Sequence, residues 1–319
     1  MNIEQLAKKA TNELKKSNIK TVSLDVMLLL EKTFKKDRSY ILTHDLEPLI
    51  NSEYSKFRKL LLRRKKGEPI AYILGHKEFY GYDFLVNKNV LIPRPETELL
   101  VENAIKFIKC HLDESARKQS GLPQSQKRLR NNRNRNFNII DVGTGSGCII
   151  ISLLKELKNS NTNYPPLTIN CYASDISKKA LYVAKKNVKL YKINKQIRFF
   201  YSDLFSNSRM PNKYDLIIAN LPYVPKSISN LKSHTSNLKN GIYFEPEKAI
   251  FAENNGTEII KRFLDQAKNR INKNGLILIE VDPRNAKELL NYAKNIYKKN
   301  KVELSKDLSQ KIRDLIIST

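Results

Sequence analysis

The sequence predicts an α/β fold: a mostly parallel sheet covered by helices on both faces, with a small N-terminal helical domain and a connecting β-hairpin. Three observations carry this. From Phe137 onward, short apolar runs alternate with stretches of helical period, the pattern of βαβ units. Residues 1–75 show helical spacing alone. Between them, Glu78-Phe79-Tyr80-Gly81-Tyr82-Asp83-Phe84-Leu85-Val86 sets aromatics on both sides of a Gly turn.

In the first region, apolar residues recur at Ile3, Leu6, Ala7, Ala10 and Leu14, and again at Val22, Leu24, Met27, Leu28 and Leu30. Ser23 is placed to cap the second of these helices. Tyr54 to Lys66 reads as a basic helix with a stripe of Phe57, Leu60, Leu61 and Leu62, broken by Gly67-Glu68-Pro69. After the hairpin, Pro93 and Pro95 enforce an extended path through Pro93-Arg94-Pro95-Glu96-Thr97-Glu98. Thr97 is placed to cap a helix from Glu98 to Lys109. Composition alone favours a rigid linker here over a loop that sets Arg94 and Glu96 beside a site. Residues 113–136 are polar, basic and of low complexity, and read as a mobile insertion.

The α/β part then follows in order. Strands are expected at Phe137–Val142, Thr168–Asp175, Gln196–Ser202, Tyr214–Asn220 and Gly275–Val281. Helices are expected at Cys148–Leu157, Lys178–Leu190, Glu258–Ile271 and Ala286–Tyr297. Lys301–Ser305 and Arg313–Ser318 form a closing strand pair. Ligands of such sheets bind at the carboxyl ends of the strands. There is no internal repeat.

Bulk composition narrows the class. The 319 residues allow two domains, and a hydrophobic fraction of 40% fits a soluble globular protein. No run of about 18 apolar residues exists, so no membrane span is expected. The N-terminus lacks the features of a secretory signal, which leaves the cytoplasm as the expected location. Cys110, Cys148 and Cys171 are odd in number and far apart, and the four His are dispersed, which argues against a disulfide frame or a metal site. The net charge of +26 attracts polyanions. It fits a nucleic-acid or ribosome partner and equally a drift toward Lys, Asn and Ile across the chain. A monomer is the default.

Four constellations carry chemistry. Asp141-Val142-Gly143-Thr144-Gly145-Ser146-Gly147-Cys148 follows a strand and opens a helix, so its backbone approaches a ligand closely. The glycines are not spaced for a dinucleotide, whose third Gly would fall at Cys148. Asp141 suits a cationic amino-acid ligand better than a pyrophosphate. Asp175, at the next strand end, is placed to accept both hydroxyls of a ribose, or simply to start a helix. Asp203, with Leu204 and Phe205 as an apolar wall, is an ordinary turn Asp alone. With the first two it completes a nucleoside site, accepting from an adenine amino group.

The fourth is Asn220-Leu221-Pro222-Tyr223. An amide or arylamine nitrogen is a poor nucleophile because its lone pair is delocalised. Two carbonyl acceptors, Asn220 Oδ1 and the Leu221 backbone oxygen, can hold its N–H groups and aim the lone pair. Pro222 stiffens the turn and Tyr223 offers a face for stacking. Positioning of this kind lowers a barrier by up to ~7–11 kcal/mol in ideal cases. The plain alternative is a strand-to-loop turn.

Together these residues resemble class I S-adenosyl-L-methionine-dependent methyltransferases, and more narrowly the HemK/PrmC family. The resemblance spans nearly the whole chain, including Gly67 to Tyr72, Ile92 to Glu98, Asp141 to Gly147, Asn220 to Tyr223, Phe244-Glu245-Pro246 and Asp307 to Arg313. It implies a seven-stranded Rossmann-like sheet and methyl transfer to the side-chain nitrogen of a glutamine in the GGQ motif of peptide chain release factors. It divides the chain into a helical substrate-docking domain (1–75), a hairpin, proline-loop and linker-helix connector (76–112), the insertion (113–136) and the methyltransferase domain (137–319). It implies that Asp141 and Gly143 to Gly147, including Thr144 and Ser146, line the methionine part of the cofactor. Asp175 then holds its ribose, and Asp203 with Leu204 its adenine. Asn220, Leu221, Pro222 and Tyr223 orient the glutamine amide, and the proline loop brings Arg94 and Glu96 near, which reverses the linker preference. No metal is implied.

Three departures stand out. Leu221 replaces the first Pro of an Asn-Pro-Pro-Tyr turn, which predicts a looser turn. Leu204 stands where an aromatic is common, and the insertion is long. Two rivals remain: an amino-methyltransferase acting on adenine or cytosine in DNA or RNA, and a weakly catalytic RNA- or ribosome-binding protein on a methyltransferase scaffold. The acid set Asp141, Asp175 and Asp203 argues against the second.

Overall fold

The computed structural model describes residues 1–17, 19–112, 136–159, 168–226 and 241–319. The insertion expected at 113–136 lies outside the described residues, except for Asn136.

The chain begins with helices α1 (Ile3–Lys15), α2 (Val22–Phe34), α3 (Arg38–Thr43), α4 (Asn51–Lys65) and α5 (Ile70–Leu74). In α1 the i, i+3, i+4 rule places Ile3, Leu6, Ala10 and Leu14 on one buried face. Its start is fixed by a capping box, in which Asn2 Oδ1 accepts from Gln5 N and Gln5 Oε1 from Asn2 N. These faces close over Leu29, Leu30, Phe57 and Leu61. A buried ion pair, Arg64 Nε to Asp25 Oδ2 at 2.6 Å, ties α4 to α2. The second helix is preceded by Thr21, not Ser23. The Thr21 hydroxyl donates to Asp25 one turn on, so the helix starts two residues earlier than expected.

The hairpin β1 (His76–Phe79) and β2 (Tyr82–Leu85) follows, then a 3₁₀ turn at Pro95–Thr97 and helix α6 (Glu98–Leu112). The remaining elements alternate: β3 (Asn136–Val142), α7 (Cys148–Asn159), β4 (Thr168–Asp175), α8 (Lys178–Leu190), β5 (Ile197–Tyr201) and β6 (Tyr214–Ala219). A short pair, β7 (Val224–Pro225) with β8 (Phe251–Ala252), precedes α9 (Glu258–Lys268) and β9 (Ile271–Glu280). The chain closes with α10 (Ala286–Ile296), β10 (Lys301–Lys306) and β11 (Ile312–Ser318).

Seven strands form one sheet in the order β10-β11-β9-β6-β3-β4-β5. Five of them, β9 to β5, are parallel, and β11 runs antiparallel to both its neighbours. Strand β6 is buried at every residue, as a central parallel strand must be. Its side chains alternate: Leu216 and Ile218 join the core under α6 and α7, while Ile217 and Ala219 join the core with α9 and α10. Helix α9 ends at Lys268, and pairing starts sooner than the apolar run suggests. The reason is Tyr214 N, which donates to Arg270 O at 2.8 Å and starts β9 at Ile271.

The chain winds outward from β3 through β4 to β5, then returns to the other side of β3 with β6 and β9. The strand order therefore reverses beside β3. A crevice opens at the carboxyl ends of β3, β4 and β6, the place where such sheets take ligands. Among the described residues no helix is long and apolar enough to cross a membrane.

Candidate active site at the strand ends

A cavity of about 440 Å³ occupies that crevice, within the range of small-ligand sites. Its walls take in Arg94, Gly143 to Ser146, Asp175, Asp203 with Leu204, and Asn220 to Pro222. Chain positions from Arg94 to Pro222 are thus brought to one place. Four expected site residues, Glu96, Asp141, Gly147 and Tyr223, are not on its wall.

The first wall is backbone. Gly143 N and Thr144 N both donate to Ser174 O, at 2.8 and 2.9 Å, which pins the turn against the end of β4. Gly143 has φ +76°, and a Cβ there would stand 3.0 Å from Leu221 Cδ2. The positive φ favours glycine, and a Cβ would also press on the opposite cavity wall. Gly145 N donates to Asp175 Oδ2 at 2.9 Å, and Ser177 N to Asp175 Oδ1 at 2.8 Å. Each carboxylate oxygen keeps a further lone pair for a ligand hydroxyl. Burial raises the Asp175 pKa against the pull of these two N–H groups.

Asp141 lies behind this wall and is fully buried. Its Oδ2 accepts from the Thr144 hydroxyl at 2.7 Å, while Oδ1 has no partner among the described residues. Burial pushes its pKa up to about 7. It holds the turn from behind and does not touch the cavity. Asp203 is on the wall but half-exposed, and Arg262 Nη2 donates to its Oδ2 at 2.8 Å. Leu204 is buried with φ +49°, a sparsely populated conformation for a residue with a Cβ. This set offers carboxylate acceptors for hydroxyls, an apolar wall for a planar base, and negative charge near a cationic group. It fits a nucleoside joined to a cationic amino acid.

The second wall is built from side chains. Asn220 Nδ2 donates to Glu280 Oε2 at 2.8 Å and to Thr97 Oγ1 at 3.0 Å. The Thr97 hydroxyl donates to the same Glu280 oxygen at 2.5 Å, and the Tyr223 hydroxyl to Glu280 Oε1 at 2.9 Å. Thr97 therefore does not cap α6 as its position suggested; its hydroxyl is engaged by a carboxylate across the fold. Tyr223, which is not on the cavity wall, has its hydroxyl engaged by Glu280. Asn220 Oδ1 and the Leu221 backbone oxygen have no hydrogen bond among the described residues.

Leu221 does not loosen the turn in the way a lost proline suggests. Its side chain is buried and packed in the core with Val142 and Ala219. Behind the turn, a Cβ on Gly256 (φ +88°) would fall 2.0 Å from Tyr223 O, so that backbone is pressed from the rear. The proline loop is held to the site by Glu245, which accepts from Ile92 N at 3.0 Å and pairs with Arg94 Nη2 at 2.5 Å. Glu96 instead faces Arg313 at 3.4 Å, and Arg313 also pairs with Asp307 of the closing hairpin.

Glu280 and Thr97 were missed as site residues. A signal for Glu280 existed: the apolar run Leu276-Ile277-Leu278-Ile279 ends in an acid, as the runs before Asp141 and Asp175 do. Thr97 carried none, since a Thr before a helix reads as a cap.

Residues 5–75 match the model of the PrmC N-terminal domain, and residues 126–237 that of the methyltransferase small domain. A release factor glutamine methyltransferase of Leptospira interrogans is 34% identical over 316 residues, covering 98% of this chain and 96% of its own length. One from Koribacter versatilis is 32% identical over 281 residues, covering 88% and 86%. A bifunctional methyltransferase of Rickettsia conorii is 37% identical over 284 residues, 88% of this chain but 51% of that protein. The chain thus spans about half the length of such Rickettsia relatives.

Proposed function

The chain belongs to the release factor glutamine methyltransferase family, and on that premise we propose that it methylates the side-chain amide nitrogen of a glutamine in a peptide chain release factor, using S-adenosyl-L-methionine. The observation that carries this reading is the pair of carbonyl oxygens, Asn220 Oδ1 and Leu221 O, on two cavity-lining residues, neither with a hydrogen bond among the described residues. A primary amide has two N–H groups, and two fixed acceptors are what its orientation requires.

When bound, S-adenosyl-L-methionine supplies a methyl group on a positively charged sulfur. Asp175 would hold its ribose hydroxyls, Leu204 and Asp203 would flank its adenine, and the turn from Gly143 to Ser146 would lie along its amino-acid part. Asn220 and Leu221 would take the N–H groups of the glutamine and expose its nitrogen lone pair to the methyl donor; the new N–C bond would replace the S–C bond, leaving a neutral thioether, and one N–H proton would pass to water. Hydrogen bonds to these carbonyls also strengthen as positive charge develops on the nitrogen, so they favour the transition state over the ground state. Arg94, anchored by Glu245, lies where it can orient the incoming peptide. The helical region 1–75 is assigned to docking the release factor, and the cytoplasm, where peptide release occurs, is the place of action.

The test is labelled methyl transfer. The protein is incubated with methyl-labelled S-adenosyl-L-methionine and either a release factor or nucleic acid, and the label is mapped. Label on the glutamine nitrogen is expected. Label only on adenine or cytosine overturns the proposal.

A further inference from the structure

The amide of Asn220 can serve as an acceptor in only one of its two orientations. With the amide turned by half a rotation, Nδ2 would face the substrate and repel its N–H groups. Something must fix the orientation, and nothing in the turn itself does so. The fixing groups come from elsewhere in the chain. Glu280 ends β9, 60 residues away, and Thr97 sits in the proline loop, 123 residues away.

Burial raises the Glu280 pKa, while the Thr97 and Tyr223 hydroxyls pull it down; with Thr97, Asn220 and Tyr223 all donating to its two oxygens, the carboxyl is an acceptor toward Asn220 in either protonation state. Glu280 Oε2 faces Asn220 at 2.8 Å, so the group it meets is the amino end of the amide. The Thr97 hydroxyl gives its proton to that same oxygen and offers a lone pair to Asn220 Nδ2. The three side chains form a closed triangle around the amino end of the amide, and Oδ1, on the cavity-lining Asn220, is the end these partners leave free. Glu280 is only 2% exposed and forms no ion pair among the described residues. Arg313 is a nearby cation; Glu96 and Asp314 are acids that oppose the charge. Such a carboxylate is a weak device for stability, since a buried charge is costly unless well paired.

We propose that Glu280, with Thr97, is a positioning residue that holds the Asn220 amide with Oδ1 toward the substrate. The role rests on the glutamine methyltransferase reading for its catalytic meaning, but the orientation itself does not.

Two experiments test it. In the first, Glu280→Met removes the acceptor at similar volume, and Glu280→Gln restores it, because the Gln carbonyl can face Asn220 while its amino group donates to the Tyr223 oxygen. With both variants folded at the assay temperature, Glu280→Met should lower kcat on the order of 10²-fold with cofactor affinity held within about threefold. Glu280→Gln should recover most of it. If Glu280→Met does not fold, Thr97→Val with rescue by Thr97→Ser asks the same question at the other corner. A folded acceptor-free variant with wild-type kcat, or failure of either rescue, overturns the proposal. In the second, the side-chain NH₂ of Asn220 is followed by NMR in protein labelled with ¹⁵N-Asn. The NH₂ group should be shifted and slow to exchange in the wild type and lose this in Glu280→Met. Fast exchange in the wild type overturns the assignment even where no release factor is methylated, and a wild-type protein that protects the amide yet labels no glutamine refutes only the functional reading.

Discussion

The two walls of the cavity are made by different means. The wall around Gly143 to Ser146 and Asp175 is built from backbone donors and a carboxylate, with partners 2 and 30 residues apart. The wall around Asn220 is built from side chains whose partners lie 57, 60 and 123 residues away. The first needs only β3, β4 and the turns that follow them to be in place. The second exists only when β6, β9 and the proline loop are all in place. In the proposed reaction the first wall governs cofactor affinity and the second governs the rate of transfer. Variants on the two sides should then give opposite signatures.

The largest effect is expected from Asn220→Ala. Without Oδ1 the substrate nitrogen loses one of its two fixed acceptors, and transfer should fall by ~10³-fold or more, about 4 kcal/mol in barrier. Cofactor affinity, measured by calorimetry, should stay within about threefold. An equal fall in both would erase the division between the walls. The variant also leaves Glu280 Oε2 and Thr97 Oγ1 short of a donor, so a stability loss of about 1–3 kcal/mol accompanies it. Activity is to be measured well below the melting transition.

Asp175→Ala should show the reverse. It removes two ligand acceptors and frees two backbone donors, Gly145 N and Ser177 N. Hydrogen bonds to charged groups are worth about 1.5–3 kcal/mol. Cofactor affinity should therefore weaken on the order of 10²-fold, while kcat at saturating cofactor changes little. A fall in kcat at full saturation would show that Asp175 also acts on the transferring group.

The same difference explains what was legible in the sequence. The alternation from Phe137 onward revealed the sheet because a βαβ unit is local: strand, turn and helix are contiguous. The glycine turn, Asp175 and Asp203 were legible for the same reason, each standing where a strand ends. Asn220 and Leu221 were found through a local turn motif. The groups that orient Asn220 were not found, since Glu280 and Thr97 meet it only through tertiary packing, and neither position carries a pattern naming its partner. The engagement of the Tyr223 hydroxyl by a buried carboxyl 57 residues away was illegible for the same reason. Leu221 was expected to loosen the turn because a missing proline is visible in sequence, whereas the core that holds the leucine is not.

Asp141 supplies a pH test of the backbone wall. Burial pushes its pKa from the ordinary carboxylate range to about 7. Its folded-state pKa is raised, so the native state binds more protons than the unfolded chain between these values. Stability is therefore full at low pH, as far as this group is concerned, and falls as pH rises through about 7. Asp141→Asn removes the titration and keeps a carbonyl for the Thr144 hydroxyl. Its loss of unfolding free energy between pH 5 and pH 8 should be smaller than that of the wild type by about 2–3 kcal/mol, measured by urea denaturation. The same slope in both proteins would mean that water reaches Asp141.

The smallest effect is expected at Asp203, although the sequence marks it as plainly as Asp175. The difference is exposure. Asp175 is held by two backbone N–H groups inside the crevice, whereas Asp203 is 45% exposed and shares an ion pair with Arg262, which is 46% exposed. Water competes for both partners, and exposed pairs of this kind contribute about 0–1 kcal/mol. Its one further contribution is a hydrogen bond to an adenine amino group, worth about 0.5–1.5 kcal/mol net. Asp203→Ala should weaken cofactor binding by about three- to tenfold, with no change in kcat at saturation. Because the Asp203 carboxylate is partly screened already, added salt should narrow the gap between variant and wild type. A loss as large as that of Asp175→Ala would show that the site closes over Asp203 when the cofactor binds, drying the Arg262 pair.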